Sequence, residues 1–96
     1  MKINGKVLDR KFDAADADDM ERLEKAYEGL KERIGGLPDN IKGSEQLRAY
    51  CTAVFGFFND LFGEGADREI FGGRTNARVC AGAVEDFSRF VRKGLK

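Results

Sequence analysis

Apolar residues recur at alternating steps of three and four through Leu23, Tyr27, Leu30 and Ile34, the spacing that lines side chains along one stripe of an α-helix. The opposite face is charged, with Glu21, Lys25, Glu28, Lys31 and Glu32 on the solvated side. Asp13, Asp16, Asp18 and Asp19 precede the stripe, where carboxylates accept free backbone N–H groups and oppose the positive end of the helix dipole. A first helix is predicted over 16–34, and Gly35-Gly36-Leu37-Pro38 ends it. In the second predicted helix, 44–62, the apolar positions are Leu47, Tyr50, Cys51, Val54, Phe55, Phe57, Phe58, Leu61 and Phe62. These cover well over half of the circumference, so this helix is either central or packed on one neighbour within the chain and another outside it. Ser44 is the expected N-cap, with Asn40 able to open an earlier turn, and Gly63 and Gly65 stop the helix.

A short helix over 66–71 would pin Ile70 and Phe71 into the core before Gly72-Gly73 closes it. Thr75 is expected to cap a third long helix, 75–93, whose regular stripe is Val79, Cys80, Ala83, Val84, Phe87, Phe90 and Val91. At the N-terminus, Asn4-Gly5 separates two short β-compatible pieces, the signal of a tight hairpin. Arms so short must lie on the helices, pair with a longer strand at Arg10 to Phe12, or add to a sheet in another subunit. The fold class expected is mainly α: one domain spanning 1–96, with three principal helices, a short extra helical turn and a β-hairpin or strand within 1–12.

Ninety-six residues suit one domain with one core. Acidic and basic residues balance at seventeen each, so the whole molecule exerts no strong field on nucleic acid or an anionic membrane. The balance is uneven, since residues 71–96 hold six basic and two acidic side chains. Arg89, Arg92, Lys93 and Lys96 suit the negative pole of the last helix, whereas Arg74 and Arg78 near its start run against the dipole. Those two either pair with Glu64, Asp67 or Glu69 in the preceding loop or face an acidic partner. Cys51 and Cys80 lack the close spacing of a metal knuckle or redox pair, and the chain has no histidine. Their place among apolar positions favours buried free thiols in a reducing cytoplasm. There is no N-terminal apolar h-region and no apolar run approaching the ~20 residues that span a bilayer, so a cytoplasmic protein without membrane association is expected.

Candidate chemistry is sparse. Four aspartates invite a calcium loop, but the glycine at the bend and the terminal bidentate glutamate are not at the required offsets. Gly72-Gly73-Arg74-Thr75 lacks the lysine and the buried strand of a phosphate loop. No activated nucleophile sits beside a base, and the arginines of the last helix are scattered around it rather than aligned for nucleic acid. No catalytic residue, metal or cofactor is expected. What stands out is the segment 55–76, which holds five of the eight phenylalanines, Phe55, Phe57, Phe58, Phe62 and Phe71, and five of the twelve glycines. Those five phenylalanines, with Arg74 and Arg78, are the candidate partner-binding residues.

The run Phe57-Phe58-Asn59-Asp60-Leu61-Phe62-Gly63-Glu64-Gly65, continued by Ile70-Phe71-Gly72-Gly73-Arg74-Thr75-Asn76 and by Cys80 to Phe87, resembles small proteins encoded in phages and prophages of Gram-positive bacteria. The opening Lys2-Ile3-Asn4-Gly5-Lys6 fits the same pattern. It is similar to short tail-module proteins, some of them regarded as tail assembly chaperones. The resemblance covers most of the chain, and its motif is structural. It implies a mostly helical, non-enzymatic protein of the bacterial host cytoplasm that binds and shields the hydrophobic tape-measure protein during tail assembly; from the apolar circumference of the second helix, self-association through that helix is expected as well. The alternatives are a structural tail or connector component of the virion, and a small phage regulator that binds a host protein or DNA.

Overall fold

The computed structural model describes residues 1–38, 40 and 42–94. They form four helices, α1 (Ala17–Gly35), α2 (Gly43–Phe62), α3 (Ala66–Phe71) and α4 (Ala77–Gly94), after a two-stranded antiparallel hairpin, β1 (Lys2–Ile3) and β2 (Lys6–Val7). The fold is mainly α, as the apolar periodicity predicts.

The hairpin turns at Asn4-Gly5, whose φ angles of 55° and 74° are both left-handed. Two such residues match the twist of the flanking strands, which are registered Lys2 opposite Val7 and Ile3 opposite Lys6. Of the three placements open to these short arms, the structure adopts the first: β1 lies on α4, with Ile3 fully buried. The Asn4 side chain donates to Ile70 O at 3.1 Å, and the Asn4 backbone N–H donates to Asp86 Oδ2 at 3.0 Å.

Asp16 caps α1 by accepting from Asp18 N–H, and Asp19 and Asp13 accept from the backbone of the approach, so the acidic cluster acts in capping. Two other caps differ from expectation. α2 starts at Gly43, with Lys42 as an N-cap that makes no side-chain bond, so Ser44 already lies inside the helix. α4 starts at Ala77, and Asn76 rather than Thr75 caps it: Asn76 Oδ1 accepts from Val79 N–H at 3.1 Å. The short amide of Asn76 reaches the third helical N–H, the geometry for which asparagine and threonine compete.

α2 is the hub. It packs on α1 along one side and on α3 and α4 along the other, which is how one chain encloses so wide an apolar circumference. Phe57, Phe58 and Phe87 are fully buried and meet edge to face: ring centroids are 5.1 Å apart for Phe57 and Phe58 and 6.2 Å for Phe58 and Phe87. α3 folds back on α2 between Gly65 and Gly72, both left-handed, and seals Ile70 and Phe71 against it. Arg10 holds this corner, donating from Nη1 to Phe62 O at 2.6 Å, the last carbonyl of α2, and pairing with Glu69 of α3 at 3.0 Å. The interior is aromatic and aliphatic; among the described residues no polar or charged side chain is buried.

Candidate functional site

The seven candidate partner-binding residues separate into three groups. Phe57, Phe58 and Phe71 are core, at 0%, 0% and 4% exposure. They offer no surface to a client or to a second copy, and the expectation that they do is corrected: the circumference of α2 is occupied by α1, α3 and α4 of the same chain. Phe55 and Phe62 are half-buried, Phe55 against Phe71 at 5.1 Å and Phe62 against Phe87 at 5.7 Å between centroids. Arg74 and Arg78 are exposed.

Arg74 and Arg78 do not pair with the preceding loop. Glu69 is taken by Arg10, and among the described residues neither arginine makes an ion pair within 4.0 Å. At the other end of α4 both arginines are matched: Arg89 pairs with Glu85 and Asp86, and Arg92 with Glu85. Lys96, expected to complement that pole, lies outside the described residues. The positive charge of the C-terminal region that is left unmatched includes the arginines at the start of α4.

A surface that the sequence did not single out lies beside them. The core-facing stripe of α2 runs back from Phe58, Val54 and Cys51 to Leu47, where it outruns the core: Leu47 is 55% exposed. The stripe of α1 also emerges at its last turn, with Ile34 38% exposed, but that turn lies against the second half of α2, where Arg33 pairs with Asp60, and not beside Leu47. Leu47 faces a shallow groove of about 320 Å³ that it shares with Thr75, Asn76, Ala77 and Arg78. The signal was present in the sequence, since Leu47 stands alone at the polar start of the helix, but a stripe does not reveal how far its neighbours extend. A second groove, about 440 Å³, lies between the hairpin and α4 over Lys2, Gly5, Asp86, Arg89, Phe90 and Lys93. Its carboxylate, Asp86, is engaged by Asn4 N–H and Arg89.

Cys51 and Cys80 are both free and fully buried. Burial, and then a side-chain hydrogen bond with Cys51, push the Cys80 thiol up to about 12, so at neutral pH it is a protonated apolar side chain and not a nucleophile. The Tyr50 hydroxyl beside them is raised as well, first by burial and then by the two cysteines. Among the described residues no group of three or more histidine, cysteine, aspartate or glutamate side chains could hold a metal ion, and no helix is long and apolar enough to cross a membrane.

The site is thus an exposed apolar helix end edged by exposed arginines, on a small mainly α domain with a hairpin clasp. Residues 4–95 match the family described as "Family of unknown function (DUF6673)", and the chain belongs to that family. No curated protein and no solved structure matches it.

Proposed function

We propose that the protein is a non-catalytic tail assembly chaperone of a phage or prophage, which holds a hydrophobic segment of the tape-measure protein until tail-tube subunits enclose it. The resemblance of residues 57–76 to tail-module proteins supplies the biological setting. The exposure of Leu47 at the point where the apolar stripe of α2 leaves the core carries the binding role. In this reading Phe57, Phe58 and Phe71 build and orient α2, and the client meets its N-terminal half, where Leu47 emerges. An apolar end rimmed by charge suits transient holding, because it can be vacated without unfolding the domain.

The test is co-expression of the tagged protein with fragments of the tape-measure protein encoded beside it. Wild type is expected to retain a fragment through affinity purification and gel filtration. Leu47→Asp is expected to lose it while keeping the wild-type circular dichroism and melting temperature. Retention of no fragment by the wild type, or equal retention by Leu47→Asp, overturns the proposal.

A further inference from the structure

We infer that the groove between α2 and the start of α4 takes an acidic amphipathic helix, with a leucine-type side chain seated on Leu47 and Ala77 and carboxylates set against Arg74 and Arg78. The inference rests on the proposed client-holding role only for the identity of the client; the chemistry of the occupant follows from the groove itself. Its volume of about 320 Å³ and its lining of Leu47, Ala77, Thr75, Asn76 and Arg78 suit a few aliphatic groups rather than a rigid cofactor. Such a groove, open along the face of a helix, is filled by the spaced apolar anchors of an amphipathic helix. The sign of the partner is set by the rim. Arg78 lines the groove, Arg74 lies three residues before Ala77, and neither has an ion-pair partner among the described residues. The first turn of α4 contains no acidic residue to offset them. Carboxylates brought by a partner therefore gain two exposed cations that are unmatched among the described residues, and a basic partner is repelled.

A second copy of the chain has an acidic segment at Asp13–Asp19, but that segment is already engaged. Asp13 accepts from Ala15 N–H, Asp16 from Asp18 N–H, and Asp19 from Asp13 N–H and Arg22. Presenting those carboxylates to the groove would uncap α1. That segment of a second copy is therefore set aside, and the occupant assigned is a different protein.

Two synthetic helical peptides with the same leucine stripe, one flanked by glutamates and one by lysines, distinguish the possibilities by fluorescence anisotropy. The glutamate peptide is expected to bind at least about tenfold more tightly than the lysine peptide, with the preference weakening as salt is raised. Arg74→Glu/Arg78→Glu, both at exposed positions, is expected to reverse the preference while circular dichroism stays unchanged. Equal binding of the two peptides, or a preference that survives the double substitution, overturns the inference. Concentration-dependent dimerisation of the wild type that the double substitution abolishes also overturns it, since the occupant is then a second copy. The tape-measure fragments are measured in the same assay. Fragment capture without peptide discrimination sinks only the acidic-groove inference, and peptide discrimination without fragment capture sinks only the chaperone reading.

Discussion

The backbone N–H of Asn4 donates to the carboxylate of Asp86 at 3.0 Å, joining residues eighty-two positions apart. Asn4 occupies a left-handed conformation, φ 55°, in which its N–H points away from the hairpin and its side chain reaches Ile70 O. One turn residue therefore fixes β1 to α4 and α3 together. An isolated pair of two-residue strands has too little pairing to persist, so this clasp, with Ile3 beneath it, is what orders the N-terminus.

Asp86→Ala leaves the partly buried N–H of Asn4 without its charged acceptor. Unfolding in urea is expected to show a loss of about 1–2 kcal/mol. Hydrogen exchange is expected to show faster exchange at Asn4 and Leu8, whose N–H bonds to Met1 O at 2.8 Å, with little change inside α2. Unaltered exchange in the hairpin would mean that the Ile3 contact alone orders it.

The helices were legible because each has its own period: Leu23 to Ile34 and Val79 to Val91 describe one stripe apiece, and glycines stand where the stripes end. The Asn4-Gly5 hairpin was legible from turn chemistry. What α2 buries was not. Nine apolar positions say that the helix has neighbours on more than one side, but whether the second neighbour is α3 of the same chain or another molecule depends on the turn at Gly63–Gly65, a tertiary matter. The aromatic segment therefore reads as a surface although Phe57, Phe58 and Phe71 lie inside. The exposed end at Leu47 was hidden for the converse reason, since a stripe gives no measure of where its covering helices stop. Arg10 was illegible too: its partners, Phe62 O and Glu69, are set by the docking of α3 and not by any local spacing.

Capping at α4 distinguishes adjacent residues. Asn76 Oδ1 accepts from Val79 N–H, and the backbone O of Asn76 accepts from Cys80 N–H at 3.0 Å. Asn76→Ala is expected to cost about 1 kcal/mol, whereas Thr75→Ala, outside the helix and exposed, is expected to change stability by less than about 0.5 kcal/mol. Chemical denaturation of the two variants measures both. A larger loss at Thr75 would place the start of the helix where the sequence alone suggests it.

Two helical glycines should respond differently to a methyl group. A Cβ at Gly82 meets nothing within 4 Å, so Gly82→Ala is expected to stabilise the protein by about 1 kcal/mol through helix propensity. A Cβ at Gly56 would come within 2.6 Å of Arg33 Nη1, the guanidinium that lies across α2 to pair with Asp60 at 3.0 Å. Arg33 can swing away, and an exposed ion pair is worth about 0–1 kcal/mol; the gain from Gly56→Ala is therefore expected to be smaller than that from Gly82→Ala, or to vanish. Urea midpoints in the order Gly82→Ala, then Gly56→Ala and wild type together, support this account of the α1–α2 crossing. A severe loss at Gly56 would show that Arg33 is held more firmly than its exposure implies.

The thiols make alkaline pH a probe of the core. The ordinary value for Cys80 is 9.0 and burial raises it to about 12 in the fold, so folding favours the protonated form. Below pH 9 both folded and unfolded chains carry the proton, and the thiol adds no pH dependence. Between about 9 and 12 the unfolded chain releases it while the folded chain retains it, and stability falls as pH rises through that window. Cys80→Ala removes this group and should flatten the fall, although the smaller side chain leaves a cavity that lowers stability at every pH. The comparison is therefore of slopes, in urea unfolding series from pH 7 to the alkaline limit. At pH 8 the native protein should leave both cysteines unmodified by a thiol-specific disulfide reagent, and urea should release two reactive thiols per chain, matching the two buried cysteines. Rapid modification of the native protein would show that the α2–α4 seam opens far more readily than the packing of Cys51, Cys80 and Phe87 indicates.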